Sequence, residues 1–339
     1  MKKRNMLLII LIAILCIFFT YFLAFRKDSD KTKDETTSLV KDVENTKDKD
    51  TSENSEQFVI FGVDSTTNQL GKGTRSDSIL LVNVDHVTKK IKVASIFRDC
   101  FVNIKGHGLD KITHAHSFGG PQLALDTVNT NFDLNLDKYI TVNFINVIDI
   151  VNDLNGIELD ITKAELKHIN SIIDGLNTEV KHKSAHITTA GKQKINGVQA
   201  VAYSRIRSTA GGDYKRSERQ RTVLFKLFSK AKTMNPLELV DITNEMLKKI
   251  SSNYSSGEVT DLLYSLSNYK IEGMKGFPTK LWGGKINGIW YGVPVTLESN
   301  VKDLHQYLYS DKSYRVSEKV KSISNEIHNY ADQPTENLN

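Results

Sequence analysis

Six basic side chains lie close together in the stretch AYSRIRSTAGGDYKRSERQRTVLFKLF, which runs from Ala202 to Phe228. The six are Arg205, Arg207, Lys215, Arg216, Arg219 and Arg221. Guanidinium groups bind phosphate oxygens through a rigid fork of donors and stay charged at any relevant pH. Arg205 and Arg207 are two residues apart, so both side chains point to one face if their segment is extended. The stretch therefore predicts an anion site, and its arginines favour phosphate.

The second half of this stretch, SERQRTVLFKLFSKAKT, predicts a helix because its apolar residues recur at helical spacing. A flexible turn is expected at the GGD sequence before it. Arg216, Arg219 and Gln220 then share one face near the helix N-terminus, where cations oppose the helix dipole. That placement is expected where an anion normally binds. The alternative is an exposed helix whose arginines pair with Glu218 and Asp213.

Charged residues also stand at the ends of three predicted strands. Asp64 ends the first strand, Arg75 and Asp77 precede the second, and Arg98 and Asp99 follow the third. Carboxylates beside arginines suit a magnesium–phosphate site, in which oxygen ligands and phosphate oxygens share the ion. Solvated loop charges are the alternative interpretation. A short way downstream, the side chain of a lysine, Lys111, could also reach the phosphate.

Other motifs are excluded or weak. The glycines around Gly71-Lys72-Gly73-Thr74 lack the spacing of a phosphate loop, and a strand rather than a helix follows them. His114 and His116 resemble half a metal site without a third ligand, so we interpret both as strand or turn residues. No Gly-x-Ser-x-Gly or Cys–His arrangement supports acyl transfer. The net charge is only +5 and no helix-turn-helix or zinc pattern occurs, so nucleic acid is not an expected partner.

Strands and helices alternate along the body without internal repeats, which indicates an α/β domain with a central mixed sheet flanked by helices. The predicted strands are 57–64, 78–85 and 90–97, the last two as a hairpin, then YITVNF, IELDIT and a Gly-rich pair over 275–296. The predicted helices are 119–132, which starts near Pro121, INVIDIVNDL, 236–250, 256–267 and 299–309. INGVQAVAYSRIR reads as a helix or a strand.

The N-terminal sequence MKKRNMLLIILIAILCIFFTYFLAFRKD predicts one transmembrane helix, since about twenty uncharged residues suffice to cross a bilayer core. The run is longer than a signal-peptide core and no small-x-small cleavage site follows it, which favours an uncleaved anchor. The two cysteines, Cys16 and Cys100, fall in the anchor and the body, so no disulfide is expected within the body. We predict a cytoplasmic N-terminus (1–5), an anchor (6–25), a disordered extracytoplasmic linker (26–56), one domain (57–311) and a C-terminal helix or disordered tail (312–339).

The motifs FGVDS, TRSDSILL, SIFRD, KITHAHSFGG, LNGIELDI, INGVQAVAYSRIR and GGDYKRSERQR occur in this order. Together they resemble the LytR-CpsA-Psr family of bacterial cell-envelope proteins, from about Phe58 to Lys232. The resemblance implies a membrane-anchored phosphotransferase that moves a glycopolymer, such as teichoic acid or capsular polysaccharide, from a polyprenyl-pyrophosphate carrier to peptidoglycan. Alternatives are a pyrophosphatase acting on the same lipid and an envelope-associated transcriptional attenuator without catalysis.

The resemblance also implies roles for individual residues. Asp64 and Asp77 would hold Mg²⁺ or Mn²⁺ against the pyrophosphate, and Asp77 or Asp99 could accept the hydroxyl proton. Asp213 would orient the arginines. The pyrophosphate would be bound by Arg75, Arg98, Arg205, Arg207 and Arg219 with help from Gln220, and Arg98, Arg205 and Arg207 would also serve catalysis. From their positions in the sequence alone, we add Lys111 and Arg216 to the pyrophosphate-binding residues.

An apolar cleft between the sheet and the helices would take the prenyl chain, lined by PQLALDTV, INVIDIV and TVLFKLF, although core packing explains these segments equally well. The sequence departs from the family pattern at three positions, each without loss of a charge. Phe97 stands where proline is usual, Thr113 where asparagine is frequent, and Cys100 follows the Arg-Asp pair.

Overall fold

A six-stranded mixed sheet forms the centre of the protein in a computed structural model of the chain. The structure describes residues 55–65, 67, 69–208, 212–231, 233, 247–255, 257–258 and 269–331, with the backbone alone for 212–214, 228 and 231. The sheet contains β1 (Ser55–Val63), β2 (Ser76–Asp85), β3 (Lys90–Ile96), β6 (Lys138–Val142), β9 (Ser251–Ser252) and β10 (Lys270–Phe277). Their order is β10-β3-β2-β1-β6-β9, with antiparallel pairing from β3 to β1 and parallel pairing of β10 with β3 and of β6 with β1.

Three two-stranded antiparallel sheets and seven helices complete the described part of the chain. Two are hairpins, β4 (Phe101–Ile104) with β5 (Gly108–Lys111) and β11 (Leu281–Ile286) with β12 (Ile289–Pro294). The third pairs β7 (Ile157–Ile161) with β8 (Gly191–Ile195), which a helix connects. The helices are α1 (Ile112–Phe132), α2 (Phe144–Asp153), α3 (Lys163–Glu179), α4 (Gly197–Arg205), α5 (Gly212–Ala231), α6 (Leu297–Tyr309) and α7 (Glu318–Ala331).

The central strands are buried on both faces, because helices cover each side of the sheet. Side chains alternate along a strand, so Phe58 and Ile60 enter one core while Val59 and Phe61 enter the other. The first core packs against α2, α3, α4 and α5, and the second against α1, α6 and α7. Continuous apolar sequence is expected in strands that are buried in this way. The predicted architecture, helices on both faces of a mixed sheet, is confirmed.

Several local predictions were wrong. His114 and His116 lie in a helix, not in a strand or turn, because α1 begins at Ile112 and is kinked at Gly119–Gly120, just before Pro121. Arg205 lies in the last turn of α4, so it does not share an extended segment with Arg207. The turn expected at Gly212-Asp213 is instead the start of α5. The elements β4, β5, β8, β9 and α3 were not predicted, and β10 begins five residues before the strand pair predicted over 275–296.

Several predicted segments lie partly or wholly outside the residues that the structure describes. The anchor over 6–25 and the helices over 236–250 and 256–267 lie largely or wholly outside the described residues. Within the residues that are described, no helix has both the length and the apolar character needed to cross a membrane. Ser55 and Glu56, assigned to the linker, belong to β1, and α7 packs on the second core, so the domain continues beyond 311 to Ala331.

Gly197 allows α4 to start against the backbone of α2. A Cβ atom at this position would lie 2.2 Å from the carbonyl oxygen of Ile148, and backbone cannot move aside as a flexible side chain can. We therefore expect Gly197→Ala to lower the free energy of unfolding by about 1–3 kcal/mol, as overpacking typically does. Urea unfolding followed by circular dichroism measures this difference.

Gly175→Ala in α3 is the matched control. No atom lies within 4 Å of the Cβ that alanine would add there. Alanine is the better helix former, so this variant should be unchanged or more stable by up to about 1 kcal/mol. Equal stability of the two variants would show that the α2–α4 contact does not require glycine.

Candidate active site

The charged strand ends meet at one edge of the sheet. Since β1, β2 and β3 are antiparallel neighbours, the end of β1, the start of β2 and the end of β3 lie side by side. Asp64 directly follows β1, Asp77 is the second residue of β2, and Arg98 comes two residues after β3. The sequence therefore placed these three residues correctly at neighbouring strand ends.

Asp77 is set apart by an irregularity in the pairing of β1 with β2. Gly62 pairs with Ser78 and Val63 pairs with Ser76, so Asp77 is skipped in the register. An extra residue of this kind bends the strand and redirects a side chain, and such bulges are frequent next to active sites. The sequence contains no signal for this bulge.

Three guanidinium groups converge on the Asp77 carboxylate. Arg98 donates a hydrogen bond from Nη1 to Oδ1 at 2.7 Å. The Nη1 atom of Arg216 and the Nη2 atom of Arg207 lie 3.6 Å and 3.7 Å from Oδ2. The Arg216 side chain is only 3% exposed, whereas that of Arg207 is 51% exposed. Guanidinium donors gathered in advance at one point form a preorganised site for an anion.

A second carboxylate and a lysine extend this arrangement. Arg98 donates from Nε to Oδ2 of Asp99 at 3.2 Å, so one guanidinium joins both carboxylates. The Nζ atom of Lys111, at the end of β5, lies 3.0 Å from Oδ1 of Asp99. Asp77, Asp99, Arg98 and Lys111 thus form one continuous ion-pair network, which contains both candidate bases proposed from the sequence.

An apolar cleft opens beside this network, between the sheet and the helices α2, α4 and α5. Its polar residues include Asp77 and Ser78 at the start of β2, Asn143 directly after β6, and Gln220 on α5. The rest of the lining is mainly aliphatic. Lining residues of this kind include Ile60, Leu80, Val142, Val201, Leu224 and Leu227. A ligand with a charged head and a long apolar tail matches this division of the surface.

The segments expected to line the cleft are confirmed in two cases out of three. Val147 of INVIDIV and Val223 of TVLFKLF both contribute to the cleft. PQLALDTV does not, because α1 covers the opposite face of the sheet, where Leu125 and Val128 belong to the second core. Apolar periodicity identifies a buried helix face but does not tell which side of the sheet it covers.

Asp64 and Arg75 form a pair of their own. The Arg75 guanidinium donates to Oδ2 of Asp64 from Nε at 3.1 Å and from Nη2 at 3.0 Å, and the Arg75 backbone N–H donates to Oδ1 at 2.9 Å. The Arg75 side chain is about half exposed. A phosphate that binds Arg75 would therefore compete with Asp64 for the same guanidinium.

Arg219 has a different environment from the one predicted. Its side chain is buried, and it donates from Nε to Oε1 of Glu165 at 2.8 Å and from Nη1 to the carbonyl oxygen of Ile206 at 3.0 Å. Burial acts to raise the pKa of Glu165, but hydrogen bonds from Arg219 and Thr162 outweigh it, so the pKa lies below its usual value. These contacts give Arg219 a structural role in joining α5 to α3.

The remaining predicted residues occupy the edge of the site. Arg205 lies over the ring of Phe144, with 4.7 Å between Cζ and the ring centroid, and 3.6 Å separates its Nη1 from Glu179. Phe144 lines the cleft, which places Arg205 at its margin. The backbone of Asp213 lies in the first turn of α5, and its side chain is outside the described residues.

The two histidines do not form a metal site. His114 pairs with Asp110 at 2.8 Å, while His116 is fully buried and donates from Nδ1 to the carbonyl oxygen of Thr74 at 2.9 Å. Burial lowers the pKa of His116, so its ring is neutral near pH 7. In the described part of the chain, no group of three or more His, Cys, Asp or Glu residues is arranged to hold a metal ion.

Sequence reasoning missed several polar residues of the cleft. Ser78, Asn143 and Ser204 line it although none was proposed as a site residue; Ser78 and Ser204 lie within charged motifs and Asn143 does not. Their position after or before an apolar run was the only available signal, and core packing produces the same pattern. Of the departures from the family pattern, Phe97 lies next to Arg98, whereas Cys100 is fully buried, and burial raises the pKa of its thiol.

Comparison with known proteins places the chain in a family. The sequence profile of the LytR_cpsA_psr family matches residues 19–306, which is most of the chain. The Bacillus subtilis (strain 168) protein named polyisoprenyl-teichoic acid–peptidoglycan teichoic acid transferase TagT is 29% identical over 276 residues. That alignment covers 78% of this chain and 83% of TagT.

Solved structures have the same fold. The crystal structure of Bacillus subtilis TagT superposes with a TM-score of 0.59 at 27% identity, and covers 78% of this chain and 95% of that one. A structure of TagT with bound octaprenyl pyrophosphate lipid has a TM-score of 0.55 at 23% identity, with 85% and 95% coverage.

The Glu165–Arg219 pair generates a prediction about stability. Removal of one partner leaves the other charge buried, which typically costs about 3–5 kcal/mol. We expect Glu165→Ala to lower the free energy of unfolding by this amount at pH 7. Because the pKa of Glu165 is lowered by folding, its contribution is present above the unfolded pKa of about 4.3 and is lost as pH falls through the lower folded value. The difference between wild type and variant should therefore shrink in acid.

Urea unfolding at neutral and acidic pH measures both effects. Glu158→Ala is the control, since Glu158 forms an exposed pair with Lys192 at 3.1 Å and such pairs contribute at most about 1 kcal/mol. A Glu165→Ala variant as stable as Glu158→Ala would contradict the structural role of Arg219.

Proposed function

The chain belongs to the LytR_cpsA_psr family, and from this premise we propose that it is a phosphotransferase that attaches a glycopolymer to peptidoglycan. The donor is a glycan linked to a polyprenyl pyrophosphate, and the acceptor is a sugar hydroxyl of peptidoglycan. Similar proteins are named for the transfer of teichoic acid from a polyisoprenyl carrier to peptidoglycan. The cargo in this proposal is a wall polymer of the teichoic acid or capsular type.

One observation carries the proposal: guanidinium groups converge on Asp77 at the polar end of an apolar cleft. A polyprenyl-pyrophosphate donor combines the same two chemical characters, a highly charged pyrophosphate and a hydrocarbon chain. The aliphatic lining of the cleft stabilises the hydrocarbon chain by burial. The arginines bind the phosphate oxygens by charge-assisted hydrogen bonds.

The proposed reaction is a displacement at phosphorus. The acceptor hydroxyl oxygen attacks the phosphorus atom that carries the glycan, and the bond from this phosphorus to the bridging oxygen breaks. Polyprenyl phosphate leaves with the electron pair of that bond. The hydroxyl proton passes to the carboxylate of Asp77 or Asp99, and such general-base assistance typically contributes about 10²–10⁴-fold. Arg98 bridges both carboxylates and is placed to neutralise charge that develops on the transferred phosphoryl group.

The carboxylates of Asp64 and Asp77 fit a role in holding Mg²⁺ or Mn²⁺. The donors are all oxygen atoms, and magnesium is usually bound by only one or two carboxylates together with substrate phosphates and water. Asp64 would have to release Arg75, which now occupies its oxygens. A divalent ion bound here would neutralise part of the pyrophosphate charge.

The cellular location completes the proposal. Residues 6–25 would anchor the chain in the cell membrane and place the domain on the outer side, where lipid-linked wall precursors and peptidoglycan meet. The apolar, uncharged sequence of this segment supports an anchor. The topology separates the arginines from chromosomal DNA, so it argues against direct transcriptional control.

A transfer assay tests the function. The full chain, reconstituted with a lipid-linked glycan and a peptidoglycan acceptor, should release polyprenyl phosphate and form polymer-linked peptidoglycan, and chelation of divalent ions should stop both. Arg98→Ala removes a preorganised donor and should reduce the transfer rate by about 10²–10³-fold. Arg98→Lys should restore little activity, because an ammonium group cannot form the bidentate fork.

Arg315→Ala serves as the control for general loss of charge. Arg315 donates to the backbone oxygen of Ser313, on the connection between α6 and α7, and this variant should retain full activity. Release of polyprenyl phosphate at the same rate without acceptor would indicate a lipid pyrophosphatase instead. Full activity of Arg98→Ala would show that the reaction takes place elsewhere.

The proposed location makes a separate prediction. In intact cells, external protease should digest the domain while a cytoplasmic marker stays protected. Deletion of residues 1–27 should release the domain from the membrane fraction, because the hydrophobic anchor is removed. A domain that is protected until the cells are lysed would contradict the proposed topology and favour a cytoplasmic role.

A further inference from the structure

A small depression lies beside Arg98 and adjoins the apolar cleft along α5. Gln220 and Val223 of α5 line the cleft, whereas Ser217 of the same helix lines the depression. The other residues that line it are Phe97, Arg98, Asp99, Pro278, Leu281, Trp290 and Gly292. Asp77 belongs to the cleft and Arg98 to the depression, and these two side chains are hydrogen-bonded at 2.7 Å. The two surfaces therefore meet at the ion-pair network.

Trp290 is the exposed aromatic group of this depression. It is 40% exposed, although a side chain of this size is usually well buried. Its indole rests on glycine backbone: a Cβ atom at Gly283 would lie 3.0 Å from Cζ2, and one at Gly292 would lie 3.8 Å from Cη2. The ring is thus supported by backbone of the β11–β12 hairpin while much of its surface stays open.

The hairpin that carries Trp290 is joined directly to the catalytic segment. The N–H of Gly292 donates to the carbonyl oxygen of Asp99 at 2.9 Å, and Cys100 forms a parallel bridge with Gly292. Tyr291 packs edge-on against Phe101 with 4.8 Å between ring centroids. These contacts fix the position of Trp290 relative to Arg98 and Asp99, as a substrate-positioning element requires.

From this arrangement we infer that Trp290 is the stacking platform of a subsite for the acceptor glycan. A pyranose ring has a face of C–H groups and an edge of hydroxyl groups. The C–H face matches the open indole, and the hydroxyl edge matches the polar side chains of Asp99, Arg98 and Ser217 around it. This inference rests on the proposed transfer function and specifies where its acceptor binds.

The direction of the reaction supports the same assignment. In phosphoryl transfer the attacking and leaving oxygens lie roughly in line through phosphorus. The leaving polyprenyl phosphate remains on the side of the apolar cleft, so the attacking hydroxyl must approach from the opposite side of the arginines. The depression meets the cleft at the Asp77–Arg98 pair, so a hydroxyl bound there would reach the arginines from outside the cleft.

Membrane contact is the competing explanation for an exposed tryptophan beside an exposed isoleucine, Ile289. Asp99 in the same depression disfavours it, because a carboxylate is repelled by the phosphates of a bilayer surface but accepts hydrogen bonds from sugar hydroxyls. The experiments therefore include a lipid arm that separates the two explanations.

The kinetic test uses the full chain in the transfer assay. Trp290→Ala should raise the KM for the peptidoglycan acceptor roughly tenfold, the amount that loss of one aromatic contact implies. The kcat at saturating acceptor and the KM for the lipid donor should change less than about twofold. The thermal midpoint should stay the same as that of the wild type. Trp290→Phe should recover part of the affinity. Ile289→Ala removes an exposed apolar side chain from the same hairpin and should leave the acceptor KM unchanged.

The binding test does not depend on catalysis. The chain contains two tryptophans, so Trp282→Phe leaves Trp290 as the only indole. Titration with chitotetraose, a β-1,4-linked N-acetylglucosamine oligomer, should change Trp290 fluorescence to saturation. In nanodiscs that contain brominated phospholipids, the fluorescence of Trp290 should not be quenched, because the proposed subsite does not contact lipid.

The outcomes separate the two proposals. An unchanged acceptor KM in Trp290→Ala, or quenching by brominated lipid without a response to chitotetraose, would overturn the subsite even if transfer takes place. Absence of transfer by the wild-type chain would overturn the proposed function, while a saturable chitotetraose response would still support a glycan subsite at Trp290.

Discussion

The site depends on one electrostatic constraint: several guanidinium groups have to be held around the Asp77 carboxylate without driving one another apart. Arg98 follows β3, Arg207 follows α4, and Arg216 lies within α5. Like charges at this spacing repel unless a carboxylate lies between them and the surrounding elements are rigid. The bulge that sets Asp77 apart provides the carboxylate, and the two-sided packing of the sheet provides the rigidity.

The position of helix α5 matters most for the site, because this helix contributes residues to the cleft and the depression and places Arg216 beside Asp77. It is held by the buried bonds from Arg219 to Glu165 and to the Ile206 carbonyl oxygen. Arg219 therefore acts on the site through the position of α5. Buried ion pairs often contribute less to net stability than an apolar substitute would, but they specify one arrangement of the elements they join. Specification of this kind is what a site built from three separate elements requires.

The sequence was sufficient for four strands of the sheet, β1, β2, β3 and β6, and for the placement of charge at its edge. The runs around Phe58, Leu80 and Val93 are apolar because both faces of these strands are buried, and this made the strands recognisable. Partner choice was not predictable, since Arg219 meets Glu165 across 54 positions of sequence and only the folded topology brings them together. The bulge at Asp77 and the side of the sheet that α1 covers could not be predicted from the sequence for the same reason. Hairpins as short as β4–β5 carry too little periodic sequence to be recognised.

The exposure of the basic side chains divides the site into two parts with different physical roles. Arg98 and Arg216, 19% and 3% exposed, keep fixed positions because their surroundings restrict movement. Arg75 and Arg207 are about half exposed, so they can exchange a carboxylate partner for a phosphate at a small cost in free energy. In the proposed function, the buried inner pair would contribute preorganisation, and the exposed outer pair would leave room for a bulky lipid-linked substrate to enter and its product to leave. A site with only buried arginines would bind the pyrophosphate tightly but would oppose release, whereas one with only exposed arginines would lose the preorganisation that lowers the barrier to transfer.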